Sequence, residues 1–255
     1  MGSGMSLQKK EIISIIEPQL SSDGRGIQWF RTLTPAHVTE SEPFFALDIF
    51  RAGESEVVTP KPIPRELRNV SLFTYLIHGK YSLRVDEEVV KQATSGDFIV
   101  LNAGKSTFLE EVFLPENGLL EGHRLWINQN HNNLKTNSVL INPDSSRIYC
   151  DQQSILIQVL LGKAFFNDDK DETPDINLLD VSIQTNSEFK WKAPSNHNVM
   201  AFVFQGRGFF GPYRDEDQVL IPRHQVLLYG QGDEIFIRTK DTPLRFLLAT
   251  SKKTR

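Results

Sequence analysis

Cysteine is almost absent: Cys150 is the single one in 255 residues. No intramolecular disulfide can form, so a cross-linked framework is excluded and a reducing compartment, the cytoplasm, is the expected home. Cys150 stands in "RIYCDQ", which reads as a strand edge. Nothing beside it marks a nucleophile, so a small half-buried apolar role is expected. Long apolar runs are missing as well. None reaches the ~18–20 residues that a membrane-spanning helix needs, and no secretory apolar segment is found. Charge of one sign is missing too. Twenty-eight Lys and Arg stand against thirty-two Asp and Glu, for a net charge of -4, and no stretch forms a basic stripe. That excludes a general electrostatic grip on nucleic acid or anionic lipid. Helical periodicity is scarce, amounting to one or two turns around 41–50 or 176–180. The opening "MGSG" reads as an expression scar, with the natural start at Met5.

What the chain does have is strand rhythm. Hydrophobic residues make up 39% and charged residues 24%, the balance of an ordinary globular protein. The length allows one large domain or two of moderate size, with a core that needs no disulfide or structural metal. Short apolar words rich in Val, Ile and Phe recur between turn residues: "VSLFTYLIHGKYSLRV" (70–85), "GDFIVLNAG" (96–104), "HRLWINQN" (123–130), "SILIQVLLGKAFF" (154–166), "VMAFVFQGRGFFG" (199–211) and "GDEIFIRT" (232–239). Closely spaced strands of this kind predict an all-β barrel or sandwich.

The rhythm comes twice. "FTYLIHGKY" followed by "TSGDFIVLNAG" is answered by "MAFVFQGRG" followed by "LLYGQGDEIFI". Each reads as a hairpin at Gly and then a Gly-Asp turn that launches an apolar strand. Two β-barrels of one kind in tandem are expected, over residues 5–135 (with the N-terminal strand) and 136–251. The Asn-rich stretch 128–137 marks the boundary, and the charged stretch 167–175 reads as a solvated excursion.

These words resemble the pirin family, a group of bicupins within the cupin superfamily. "EPFFALDIF" (42–50) is similar to its opening segment with Asp before Phe, and "FTYLIHGK" (73–80) to its first hairpin. "GDFIVLNAGKS" (96–106) and "GHRLWINQ" (122–129) follow in order. "PSNHNVMAFVFQG" (194–206) and "PLRFLLAT" (243–250) are similar to strands of the second barrel. The resemblance implies a tandem pair of cupin-type β-barrels. It also implies one mononuclear metal, usually iron, in the first barrel, held by a His-x-His pair, a third His and a Glu. Neutral imidazoles and a carboxylate suit a divalent first-row metal with an open position. Here the four positions fall on Arg65, Leu67, Leu109 and Glu111, with Glu110 a one-residue alternative to Glu111. Leucine has no donor atom and arginine is always cationic. No metal and no cofactor are therefore expected in the first barrel; iron or another divalent metal would require a different alignment of the ligand positions. Arg65 could instead pair with Glu111 or Glu110, as a charge-balanced substitute for the metal cage.

The six histidines, His37, His78, His123, His131, His197 and His224, form no His-x-His. His78 falls in a turn, His123 opens a strand beside Arg124, and His131 lies in the polar linker. His197 and His224 could meet at the mouth of the second barrel, although bonding to backbone is the expected role. "GQGDE" and "GRGFFG" lack the helix of a phosphate-binding loop. No Gly-x-Ser-x-Gly elbow exists, and "DETPD" and "DED" lack the spacing of a calcium loop. Trp29, Trp126 and Trp191 are expected to pack cores or a barrel mouth rather than build a ligand site. The resemblance then implies two functional classes. One is a binding or regulatory module without metal, engaging a small apolar ligand or a partner protein. The other is an enzyme, either a quercetin 2,3-dioxygenase-like oxygenase or a metal-independent isomerase or lyase with Glu111 and Arg65 as its catalytic residues.

Overall fold

The computed structural model describes residues 8–22, 26–34, 37, 41–53, 58, 62–86, 91–128, 136–141, 147–151, 154–162, 176–212 and 217–253. Its regular elements are all strands. In chain order they are β1 (Ile12–Ile16), β2 (Gln19–Ser22), β3 (Gln28–Leu33), β4 (Phe44–Ala52), β5 (Ile63–Leu67), β6 (Val70–His78), β7 (Lys80–Val85), β8 (Lys91–Ala93), β9 (Phe98–Ala103), β10 (Thr107–Leu114) and β11 (Leu120–Asn128). There follow β12 (Asn137–Ile141), β13 (Arg147–Asp151), β14 (Ile155–Leu161), β15 (Ile176–Ile183), β16 (Glu188–Lys192), β17 (His197–Phe210), β18 (Val219–Pro222), β19 (Val226–Tyr229), β20 (Glu234–Arg238) and β21 (Leu244–Lys252). The all-β class expected from the strand words is what is observed. The helical turns considered at 41–50 and 176–180 are corrected: both segments lie mainly in strands β4 and β15, whose side chains are almost continuously buried. A strand covered on both faces reads as an unbroken apolar run, which periodicity cannot distinguish from a buried helix.

The chain divides into two compact units. One comprises Pro18–Ser146, the other Met1–Glu17 with Arg147–Arg255. This differs from the boundary expected at 135/136. Strand β1 belongs to the second unit because Ile12–Ile16 runs antiparallel to β19. Strand β12 belongs to the first because it pairs with β9. The linker expected at 128–137 and the excursion at 167–175 lie largely outside the described residues.

The first unit holds a seven-stranded antiparallel sheet, β12-β9-β6-β11-β4-β3-β2, and a four-stranded one, β5-β10-β7-β8. Its core draws on both, with Phe50, Leu72 and Ile99 from one and Leu67, Leu83, Leu109 and Phe113 from the other. The expected hairpin at Gly79 is instead a corner. β6 ends in the larger sheet and β7 begins in the smaller, so the strand changes sheets there. Gly79 has φ +97°, and a Cβ would meet the Leu114 carbonyl oxygen at 2.8 Å, so glycine is needed.

The second unit repeats the device. β17 pairs with β21 and β19 at its start and with β18 and β20 at its end. The bend falls at Gly206, with φ +75°. Its ten-stranded sheet encloses a core of Ile157, Val181, Trp191, Phe210, Phe246 and their neighbours. Among the described residues there is no helix long and apolar enough to cross a membrane.

Candidate functional site: a buried arginine–carboxylate cluster

β10 alternates strictly between buried and outward positions. This period of two decides between the two adjacent glutamates. Thr107, Leu109, Glu111 and Phe113 face inward; Glu110 faces outward, where its carboxylate lies 3.6 Å from Arg84 Nη1. Glu111 is completely buried. A carboxylate there needs cationic or hydrogen-bonding partners, and three side chains supply them. Tyr81, on the neighbouring β7, donates its hydroxyl to Glu111 Oε1 at 2.6 Å. Arg65, on the other neighbour β5, brings Nε to 3.3 Å from Oε2. The third is Arg124. Its Nη1 donates to Oε2 at 3.3 Å and its Nη2 to Oε1, a bidentate fork.

Arg124 is itself fully buried. It sits on β11, between β4 and β6, directly across from Asp48 on one side and Thr74 on the other. Its Nε donates to Thr74 Oγ1 at 3.2 Å and its Nη2 also reaches the Tyr81 hydroxyl at 3.3 Å. The guanidinium carbon lies 5.7 Å from the ring centres of Trp29 and Phe113, close enough for cation–π attraction. Burial works against its charge, but Glu111, with Tyr81 and Asp48, together more than offset this, and its pKa is raised above the ordinary arginine value. Burial likewise pushes the Tyr81 phenol well up, and the neighbouring Glu111 charge pushes the same way. Tyr81 therefore stays a neutral donor.

A second network adjoins the first. Arg31, Asp48, Arg124 and Thr74 stand directly opposite one another across β3, β4, β11 and β6. Arg31 forks Asp48, with Nε at 2.7 Å and Nη2 at 3.0 Å, and Trp126 Nε1 donates to Asp48 Oδ2 at 2.8 Å. The bond to Asp48 raises the Arg31 pKa. A cleft of about 410 Å3 opens beside this row, lined by Trp29, Arg31, Asp48, Arg65 and the edge strand β2. Trp29, expected not to line a ligand site, is part of that wall.

Of the four positions where the resemblance implies metal ligands, two are core leucines, Leu67 and Leu109. The third is the cation Arg65, and the fourth is Glu111, with donors on both oxygens. These residues do not fit a divalent metal, since only one of them offers a donor atom and that carboxylate is already committed. Among the described residues no group of three or more His, Cys, Asp or Glu side chains is placed to hold a metal ion. His37 Nδ1 lies 3.3 Å from the Thr34 amide and 3.2 Å from its hydroxyl. His78 is exposed at the end of β6. His123 lies within β11 rather than opening it and is buried. His197 is buried at the start of β17, where its carbonyl accepts from Lys10 Nζ at 3.4 Å. His224 precedes β19, and its amide donates to the Val203 carbonyl at 2.6 Å. His131 lies outside the described residues.

Comparison with known proteins agrees with this architecture. No family model matches the chain. The chain is 23% identical over 206 residues to a Vibrio cholerae protein provisionally named quercetin 2,3-dioxygenase, covering 77% of this chain and 72% of that one. It is 22% identical over 245 residues to pirin of Rattus norvegicus, covering 93% of this chain and 80% of pirin. Among solved structures, a quercetin 2,3-dioxygenase from Acinetobacter baumannii superposes with a TM-score of 0.80 at 16% identity, over 96% of this chain and 87% of that one. The fold is that of a bicupin. In sequence the chain is similar to pirin at 22% identity, and its likeness to the quercetin 2,3-dioxygenase structure is one of fold.

Proposed function

We propose that the first unit is a metal-independent ligand-binding module, a pirin-like cupin in which an arginine–carboxylate cluster stands in for the family's metal cage. One observation carries the reading: both oxygens of Glu111 are engaged, by Arg124, Tyr81 and Arg65. Arg124 supplies positive charge at a buried carboxylate, as a metal would, but it offers no open coordination position to dioxygen or substrate. The same contacts weigh against Glu111 as the base of a metal-independent isomerase or lyase, because its lone pairs already accept from fixed donors. What remains for function is the adjoining cleft and the surface around it.

The test is oxygen uptake with quercetin by protein incubated with excess iron and then desalted. The proposal expects no uptake above a protein-free control, and no rise in melting temperature on adding iron. Quercetin-dependent uptake that follows the iron retained would overturn it.

A further inference from the structure

Among the described residues, charge around the cleft does not balance. Arg124 forks Glu111 and Arg31 forks Asp48. Among the described residues three arginines thus face two carboxylates, and the surplus cation is Arg65. Its Nε lies against Glu111 and its guanidinium carbon is 5.9 Å from the Trp29 ring centre. Neither Nη makes a hydrogen bond among the described residues. The side chain is 35% exposed and lines the cleft. A half-buried guanidinium with one edge unused is a ready fork for an oxyanion. The other walls set the rest of the ligand. Trp29 presents apolar surface, and Gln19 and Ser21, which stand opposite Arg31 and Trp29 on the edge strand, lie on the same face. The volume, about 410 Å3, falls within the ~300–1,000 Å3 of small-molecule sites.

We infer that this cleft binds a small organic monoanion, a carboxylate on a compact apolar body, with the carboxylate on the Nη edge of Arg65 and the body against Trp29. The inference rests on the metal-independent reading of the unit. One surplus positive charge matches one carboxylate. A dianion such as inorganic phosphate would carry an unmatched charge into a cleft whose wall already includes Asp48.

The experiment is calorimetric titration of the chelator-treated full chain with benzoate, and in parallel with benzamide, its neutral isostere, and inorganic phosphate. Saturable benzoate binding is expected, at least about tenfold tighter than benzamide or phosphate, since a charge-assisted fork is the stronger bond. R65Q should weaken benzoate at least about tenfold, whereas R65K, which keeps the charge but not the fork, should fall between. Equal binding of benzoate and benzamide overturns the inference, and that comparison needs no variant. So does a correctly folded R65Q that binds benzoate as well as wild type. Repeating the titration after nickel loading separates the two claims. Binding that appears only with retained metal overturns the metal-independent reading. No benzoate binding in either state, with no metal retained, overturns the carboxylate assignment alone.

Discussion

Glu111 and Arg124 depend on each other. Each is fully buried, and neither would be tolerated without the other's charge. Removing one member of such a pair strands the other, at a cost of about 3–5 kcal/mol, whereas replacing both with apolar residues of similar size is often neutral. R124M should therefore destabilise the first unit by about 3–5 kcal/mol, and R124M with E111M should regain most of that loss. Urea unfolding of the two single variants and the double variant measures the coupling; equal losses that simply add would refute it. How legible these residues were differs for a physical reason. Glu111 and Arg65 could be reached by counting along motif words, and the strand period then decided against Glu110. Arg124, inside "GHRLWINQ", falls on none of the positions that the motif words mark. An arginine in an apolar strand signals a partner. Which partner is set by cross-strand register, and a single sequence does not contain it.

At the scale of elements, both copied strand words turn a corner: between two sheets at Gly79, and within one bent sheet at Gly206. The glycines showed where, but not that the turn was a corner rather than a hairpin. The second corner makes a sharp prediction. At Gly206 a Cβ would lie 1.9 Å from the Pro243 carbonyl oxygen, on a backbone with φ +75°. At Gly208 the nearest atom is a movable methyl of Leu244, at 2.7 Å. G206A should cost at least ~2 kcal/mol and clearly more than G208A, as thermal melts of the two variants would show.

The seating of β1 carries a pH signature. Lys10, just before it, donates from Nζ to the Gly230 carbonyl at 3.2 Å and the His197 carbonyl at 3.4 Å. Burial lowers its pKa from 10.5 to about 8; Lys253 adds to the lowering and Asp233 opposes it. Between about pH 8 and 10.5 the folded state therefore holds fewer protons than the unfolded one, so stability from this group rises with pH across that window. Below it the full cost of a buried ammonium is present. The unfolding free energy of wild type relative to K10M should climb from pH 8 to 10.5; a flat difference would contradict this.

For the molecule as a whole, the first strand in sequence belongs to the last unit. Sequence words revealed two copies of one architecture but placed the boundary by composition, and composition does not record that Ile12–Ile16 pairs with β19. Removing residues 1–17 should speed hydrogen exchange at the Val226–Tyr229 amides and leave those of β4 and β11, in the other unit, unchanged. Faster exchange in β4 or β11 instead would contradict the division.

The central claim is the proposal that the first unit holds an arginine–carboxylate pairing where the resemblance implies a metal cage. Elemental analysis tests it most directly, on the purified chain after incubation with excess iron, and separately nickel, followed by desalting. Metal close to zero per chain is the expected result, with Leu67, Leu109 and the Arg124–Glu111 fork as its cause. Close to one metal per chain, retained by wild type and lost in E111Q, would contradict the account.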